Sequence, residues 1–266
     1  MRLLVSVLNQ HEAAAALAGG ADIIDAKDPL SGPLGAVSIP ALRDICSVAR
    51  DAYLVTAALG DADDEQAIEG MACTFAGMGA RLVKVGFAGI VDIGRTVSLL
   101  KAAVRGATAG SDGRCGVVAV AYADARLVAS LSQDELTEAA VRAGTRGVLL
   151  DTADKRGPGL RDLLSQDALA AWAAAAHEAG LLVAVAGKLQ ADDLGFARDA
   201  GADIAGVRGA ACEGGREGRV TTERVRALRM LCGSTVGPDR ATRHRPTECS
   251  DSLAAPAGSV RPSIHG

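Results

Sequence analysis

The residues best suited to chemistry in this chain are its lysines. Of 28 basic side chains only five are lysine, at positions 27, 84, 101, 155 and 188. Arginine carries the ordinary positive charge, so the lysines raise the question of what an amine does that a guanidinium does not. A guanidinium stays protonated, whereas a lysine sheds its proton more readily when desolvated or set beside another cation. A neutral amine can then attack a carbonyl carbon to form an imine. Lys27 stands in IIDAKDPLSGPLGA (23–36), between Asp25 and Asp28. Lys84 falls in RLVKVG, Lys155 in LLDTADK four residues after Asp151, and Lys188 in AVAGKLQ. Lys101 lies mid-helix and reads as an ordinary surface charge. A cluster such as 25–28 is also how a solvated turn reads, so its meaning depends on the elements that carry it.

Those elements recur as one phrase: an alanine-rich helical stretch, a glycine, one or two residues, then a short aliphatic strand. It appears as ALAGGADIID (16–25), FAGMGARLVKVG (75–86), VRAGTRGVLLD (141–151), HEAGLLVAVAG (177–187) and ARDAGADIAGVRG (197–209). The glycine suits a helix C-cap, where a positive φ is needed. The strands are continuous apolar runs, the pattern of strands buried on both faces of a parallel sheet. LLVSVL (3–8), YLVTAAL (53–59) and GVVAVAY (116–122) complete the set. Helix starts are marked by the capping box Ser132/Glu135, by Ser165 and by Thr221 or Thr222. Eight strands alternating with eight helices predict an α/β fold, a (β/α)8 TIM barrel, as a single catalytic domain over 1–235. A doubly wound sheet would carry a glycine-rich fingerprint after the first strand, and Asn9-Gln10-His11 is none. Residues 236–266 hold four of the eight prolines without apolar periodicity and are expected to form a disordered tail.

On a barrel, Lys27, Lys84, Lys155 and Lys188 all fall at or just past the C-terminal end of a strand, where such folds build their sites. The two-residue period of a strand puts Asp25 and Lys27 on one face and the apolar Ile24 and Ala26 on the other. The apolar face must meet the helices, so Asp25 and Lys27 turn into the barrel mouth. The same alternation turns Lys84 and Asp151 inward. Two amines and two carboxylates converging in this way fit amine chemistry, a polyanionic substrate, or a static ion-pair network. After the last two strands, Gly187, Gly206 and Gly209 allow a backbone to approach a phosphate, and Arg208 offers a bidentate partner. A small phosphorylated carbonyl compound is the expected substrate.

Composition narrows the remaining classes. Hydrophobic residues make up 49% of the 266 and aromatics 2%, so the core must be aliphatic. A formal net charge of −4 argues against broad nucleic-acid binding. No segment approaches the apolar length that spans a bilayer, and MRLLVSVLNQ does not resemble a signal peptide. The six cysteines form no C-x-x-C pair and are expected to be reduced thiols in a cytoplasmic protein. Neither a metal site nor a cofactor is expected, and homo-oligomerisation stays open.

The segments GGADIIDAKDP, LVKVG, AYADA, LLDTADK and DIAGVRGAAC, in this order and spacing, resemble the (5-formylfuran-3-yl)methyl phosphate synthase family, also called 4-(hydroxymethyl)-2-furancarboxaldehyde phosphate synthase. The resemblance covers about residues 1–235. It implies a lyase that condenses two glyceraldehyde 3-phosphate molecules to a phosphorylated furan aldehyde, releasing one phosphate and two waters. It further implies that Lys27 forms the Schiff base and Lys84 is an acid/base. Asp25, Asp151 and Lys155 match other active-site positions of the family. Archaeal members carry serine where this chain has Lys188, and in archaea the product feeds methanofuran. Two other readings of the same residues are a class I aldolase of triose or deoxyribose phosphates and a non-catalytic phosphate-sensing barrel.

Overall fold

Short aliphatic strands close on one another when every strand has helices to cover its outer face. A computed structural model describes residues 1–50 and 53–233. The predicted tail 236–266 lies outside the described residues. The strands are β1 (Arg2–Val7), β2 (Ile23–Ala26), β3 (Leu54–Asp61), β4 (Leu82–Gly86), β5 (Gly116–Tyr122), β6 (Gly147–Asp151), β7 (Leu182–Val185) and β8 (Ile204–Val207). Each pairs in parallel with its neighbours, and β8 returns to β1, so the sheet is a closed eight-stranded TIM barrel.

Around it run α1 (Gln10–Ala18), α2 (Ile39–Ala49), α3 (Glu65–Gly77), α4 (Ile93–Ser111), α5 (Gln133–Ala143), α6 (Leu160–Leu163), α7 (Gln166–Glu178), α8 (Asp193–Asp199) and α9 (Thr222–Leu231). The single-turn α6 is additional to the eight predicted helices. It forms in the connection after β6, where Asp162 accepts a hydrogen bond from the Gly159 amide. A two-stranded hairpin, β9 (Cys212–Glu213) with β10 (Arg219–Val220), interrupts the connection after β8. The glycine of each recurring phrase adopts the expected positive φ: Gly20, Gly79, Gly144, Gly180 and Gly201 lie between 71° and 111°. Each ends a helix and turns the chain into the next strand without the steric cost a Cβ would bring.

Strand alternation divides the interior into two parts. Ile24, Ala26, Val55, Val83, Val148, Val183 and Ala205 join a core with helix residues such as Ala13, Ala16, Ala72, Ala103, Ala139 and Ala173. Small side chains on those helices bring the backbones close. Gly106 and Gly110 of α4 meet α3 so tightly that an added Cβ would stand 2.0 Å from the Glu69 carbonyl oxygen and 2.1 Å from that of Cys73. On the other parity, Leu4, Leu82, Val118, Leu149, Leu182 and Ile204 fill the barrel beneath its C-terminal mouth and line a cavity there. Cys115, Cys212 and Cys232 are buried and serve as small hydrophobes. Among the described residues no helix is long and apolar enough to cross a membrane.

Candidate active site

The cavity at the C-terminal mouth measures about 300 Å³, at the small end of the range for metabolite sites. Lys27, Lys84, Asp151, Lys155, Gly187, Lys188, Gly206, Arg208 and Gly209 all line it. Four of the five lysines in the sequence therefore meet in one place, while Lys101 sits exposed on α4.

Register explains how Asp25 is held. Ser6 of β1, Asp25 of β2 and Thr56 of β3 are consecutive Cα partners across the sheet, all on the inward parity. The Ser6 hydroxyl donates to one Asp25 oxygen at 2.8 Å and the Thr56 hydroxyl to the other at 2.6 Å. Lys84 Nζ, from two residues above that level on β4, completes the shell at 2.6 Å. Asp25 is fully buried. Burial pushes its carboxyl up, but Lys84, Lys27 and the hydrogen bonds outweigh that effect and hold it below the usual carboxylate range. Asp151, at the end of β6, is held in the same way. Lys155 Nζ reaches it at 2.6 Å and the Thr152 amide donates at 2.8 Å. Against the pull of burial, Lys155 and Lys27 keep it ionised. Asp124 supports this side by accepting from the amides of Ala153 and Asp154, which fixes the loop that carries Lys155.

Lys27 stands between these two ion pairs. Its backbone amide donates to Val7, so β2 delivers it directly into the mouth, and only 6% of its surface is exposed. It forms no salt bridge within 4 Å among the described residues. Loss of hydration disfavours its ammonium most. Asp151 and Asp25 oppose that effect, and Lys84 and Lys155 reinforce it, leaving a pKa of about 7 against an ordinary 10.5. A large fraction of Lys27 is therefore a neutral amine near neutral pH, with the Lys84–Asp25 and Lys155–Asp151 ion pairs on either side. Asp28 turns the other way. It caps the turn at Pro29–Ser31, accepting from the Leu30 amide and the Ser31 hydroxyl.

At the expected phosphate end the glycines and Arg208 all reach the cavity, and the partners of Arg208 can be stated in full. Gly187, Gly206 and Gly209 do bring backbone to the cavity wall, but the Arg208 guanidinium is not free to grip a ligand. All five of its N–H groups are taken. Two go to Glu12 of α1 at 2.7 and 3.3 Å, and the others reach the carbonyls of Ser6, Arg216 and Gly218. Both side chains of the Arg208–Glu12 pair are buried. Arg208 is thus a clamp that ties the β8 connection to the first helix across the seam where the barrel closes. Arg216 at the mouth was not expected from the sequence; Lys188, expected at a strand end, lines the cavity as well. Lys188 takes a positive φ of 60° and donates from Nζ to the Gly157 carbonyl. No group of three or more His, Cys, Asp or Glu side chains among the described residues is placed to hold a metal ion.

Comparison with known proteins adds an independent finding. A family model described as 4-HFC-P synthase matches residues 3–229. A (5-formylfuran-3-yl)methyl phosphate synthase of Methanocaldococcus jannaschii is 39% identical over 235 residues, covering 87% of this chain and all of that protein. One of Methanopyrus kandleri is 40% identical over 235 residues, covering 85% of this chain and 97% of its own. Among solved structures, KGPDC from Streptococcus mutans superposes with a TM-score of 0.61 at 16% identity, covering 87% of this chain and 96% of its own. A 3-hexulose-6-phosphate synthase does so with a TM-score of 0.60 at 20% identity, covering 88% and 100%. At such identities the structural likeness speaks to the fold alone.

Proposed function

The chain belongs to the 4-HFC-P synthase family, and from that premise we propose that it condenses two molecules of glyceraldehyde 3-phosphate into (5-formylfuran-3-yl)methyl phosphate through an imine on Lys27. The observation that carries this reading is Lys27 itself, a desolvated amine with a pKa near 7 inside the barrel mouth. Its Nζ adds to the aldehyde carbon of one triose phosphate, and loss of water gives the imine. The neighbouring C–H then becomes acidic, because its electron pair can move toward the protonated nitrogen and leave an enamine. That enamine supplies the carbon nucleophile for the second aldehyde. Lys84 beside Asp25, and Lys155 beside Asp151, are the groups in place to move the protons. Elimination and ring closure convert two trioses into one furan phosphate, one inorganic phosphate and two waters, and aromaticity makes the last steps favourable. On this reading the enzyme is a carbon–oxygen lyase acting on phosphates, with Lys27, Lys84, Asp25, Asp151 and Lys155 as its catalytic groups.

The test is incubation of the purified protein with glyceraldehyde 3-phosphate alone. The expected result is a product with the mass and ultraviolet absorption of the furan aldehyde, formed one-to-one with inorganic phosphate. An imine trapped by cyanoborohydride without furan or phosphate release would point to an aldolase. Ligand binding with neither imine nor product would leave a sensing barrel.

A further inference from the structure

Charge accounting around the cavity leaves an imbalance. Of the cations that line it, Lys84, Lys155 and Arg208 each hold a carboxylate within 2.7 Å. Arg216 and Lys188 hold none among the described residues; their partners are backbone carbonyls. Arg216 is the more constrained of the two. It sits at the tip of the β9–β10 hairpin, and the hairpin has little freedom to move. Arg208 Nε fixes the Arg216 carbonyl at 2.9 Å, and Arg208 Nη2 fixes that of Gly218 at 3.1 Å. A Cβ on Gly218 would stand 1.8 Å from the Glu213 carbonyl oxygen, so the tip closes only with glycine there.

From this platform the Arg216 side chain reaches across the mouth to the loop that follows Lys27. There its Nη2 donates to the Gly32 carbonyl at 2.9 Å and the Pro29 carbonyl at 3.3 Å. Both hydrogens of Nη2 are thereby used, while Nε and Nη1 have no hydrogen bond among the described residues. The guanidinium is half-buried at the cavity wall, where loss of hydration pushes its pKa down and the Asp151 carboxylate opposes that. A half-buried cation with only dipoles for partners is stabilised by any anion that enters beside it.

We infer that Arg216, not Arg208, is the side chain that recognises a phosphate group of the substrate, using the N–H groups it has left over. The inference rests on the proposed reaction, because it presumes a phosphorylated aldehyde bound at Lys27. Anchorage on Pro29 and Gly32 gives the contact a second effect: a phosphate held by Arg216 lies beside the loop that follows the reactive amine. Recognition of the phosphate and alignment of the aldehyde with Lys27 are therefore coupled. Arg208 acts at one remove, as the residue that positions the hairpin.

The experiment measures imine formation on Lys27 by cyanoborohydride trapping and mass spectrometry, with glyceraldehyde 3-phosphate and with unphosphorylated glyceraldehyde. In Arg216→Ala the concentration of glyceraldehyde 3-phosphate for half-maximal trapping should rise about 10- to 100-fold, the range for loss of a charge-assisted hydrogen bond. Trapping of glyceraldehyde should stay at the wild-type level, and Arg216→Lys should recover part of the loss because a point charge replaces a fork. An unchanged half-saturation for the phosphorylated substrate overturns the inference. So does an equal loss with both aldehydes, which would assign Arg216 to holding the loop. Absence of trapping in the wild-type protein would instead refute the proposed reaction itself, so the two failures are separable.

Discussion

Asp151→Asn should make Lys27 more reactive at acid pH while impairing the enzyme. In the folded protein Lys27 is depressed from 10.5 to about 7, and of the neighbouring charges Asp151 does most to resist that depression. That depression corresponds to about 5 kcal/mol of preference for the neutral amine. Asparagine keeps the size of the side chain and removes its charge, leaving Lys155 and Lys84 to act on Lys27 with less opposition. A charge at this range is worth about 1–2 units, which would bring Lys27 to roughly 5–6. At pH 6 the neutral fraction then climbs from about one-tenth to between half and nine-tenths, a 5- to 10-fold gain by the same titration arithmetic. Above pH 8 the two proteins should be indistinguishable. Reductive methylation with formaldehyde and cyanoborohydride, resolved by peptide mass from pH 5 to 11, reads this directly. Formaldehyde is small enough for the cavity and needs none of the enzyme's own proton transfers. Lys101, exposed on α4, serves as the internal reference for reagent activity. Turnover to product should fall in the same variant. A Lys27 midpoint that stays near 7 or moves upward would refute the electrostatic account of the site.

Lys27→Met should abolish product formation while leaving the fold intact, and it should also change how stability depends on pH. The unfolded chain holds the Lys27 proton up to pH 10.5 and the folded chain only to about 7, so wild-type stability should rise with pH across that window. Denaturant titrations of the Met variant should lack that slope; an identical slope in both proteins would contradict the burial argument. Glu12→Gln leaves Arg208 buried without its carboxylate and should cost about 3–5 kcal/mol, lowering the melting temperature by roughly 6–20 °C. A loss under 1 kcal/mol would mean that the clamp is not holding the seam. Gly106→Ala forces a methyl against the Glu69 carbonyl and should destabilise by about 1–3 kcal/mol, despite the better helix propensity of alanine. Calorimetry showing a stabilised variant would refute the close approach of α3 and α4.

What could be read from the chain beforehand was whatever depends on local periodicity. The glycine that ends each helix and the two-residue alternation of Asp25 and Lys27 are local facts, and they were enough to place four lysines at one end of a barrel. Ser6 was legible in the same way, as a lone hydroxyl in the run LLVSVL, but its partner Asp25 emerges only when β1 and β2 are set in register. The pairing of Arg208 was hidden for a related reason. Beside glycines at the end of β8 it resembles a phosphate ligand, and the Glu12 that occupies it lies 196 residues away in the chain. Glu12 in turn looks like an ordinary acid in the first turn of α1. Arg216, between Gly215 and Glu217, carries no periodic signal, because it lies in the turn between two strands of two residues each. Local patterns thus brought these side chains to one mouth, while their pairings depend on contacts between distant parts of the chain.

The environment of Lys27 is assembled from β2, β4 and β6 together, and this bears on when in the protein's life the amine becomes dangerous. A nascent chain that has emerged only as far as β2 carries an ammonium like that of any free lysine, inert toward the sugar aldehydes around it. Roughly a thousandfold more of the nucleophilic form arises at neutral pH once the depression to about 7 is in place. Maturation of the reactive group is thereby tied to completion of the fold. On the proposed reaction, an unfinished or damaged copy would lose its capacity for adduct formation along with its shape.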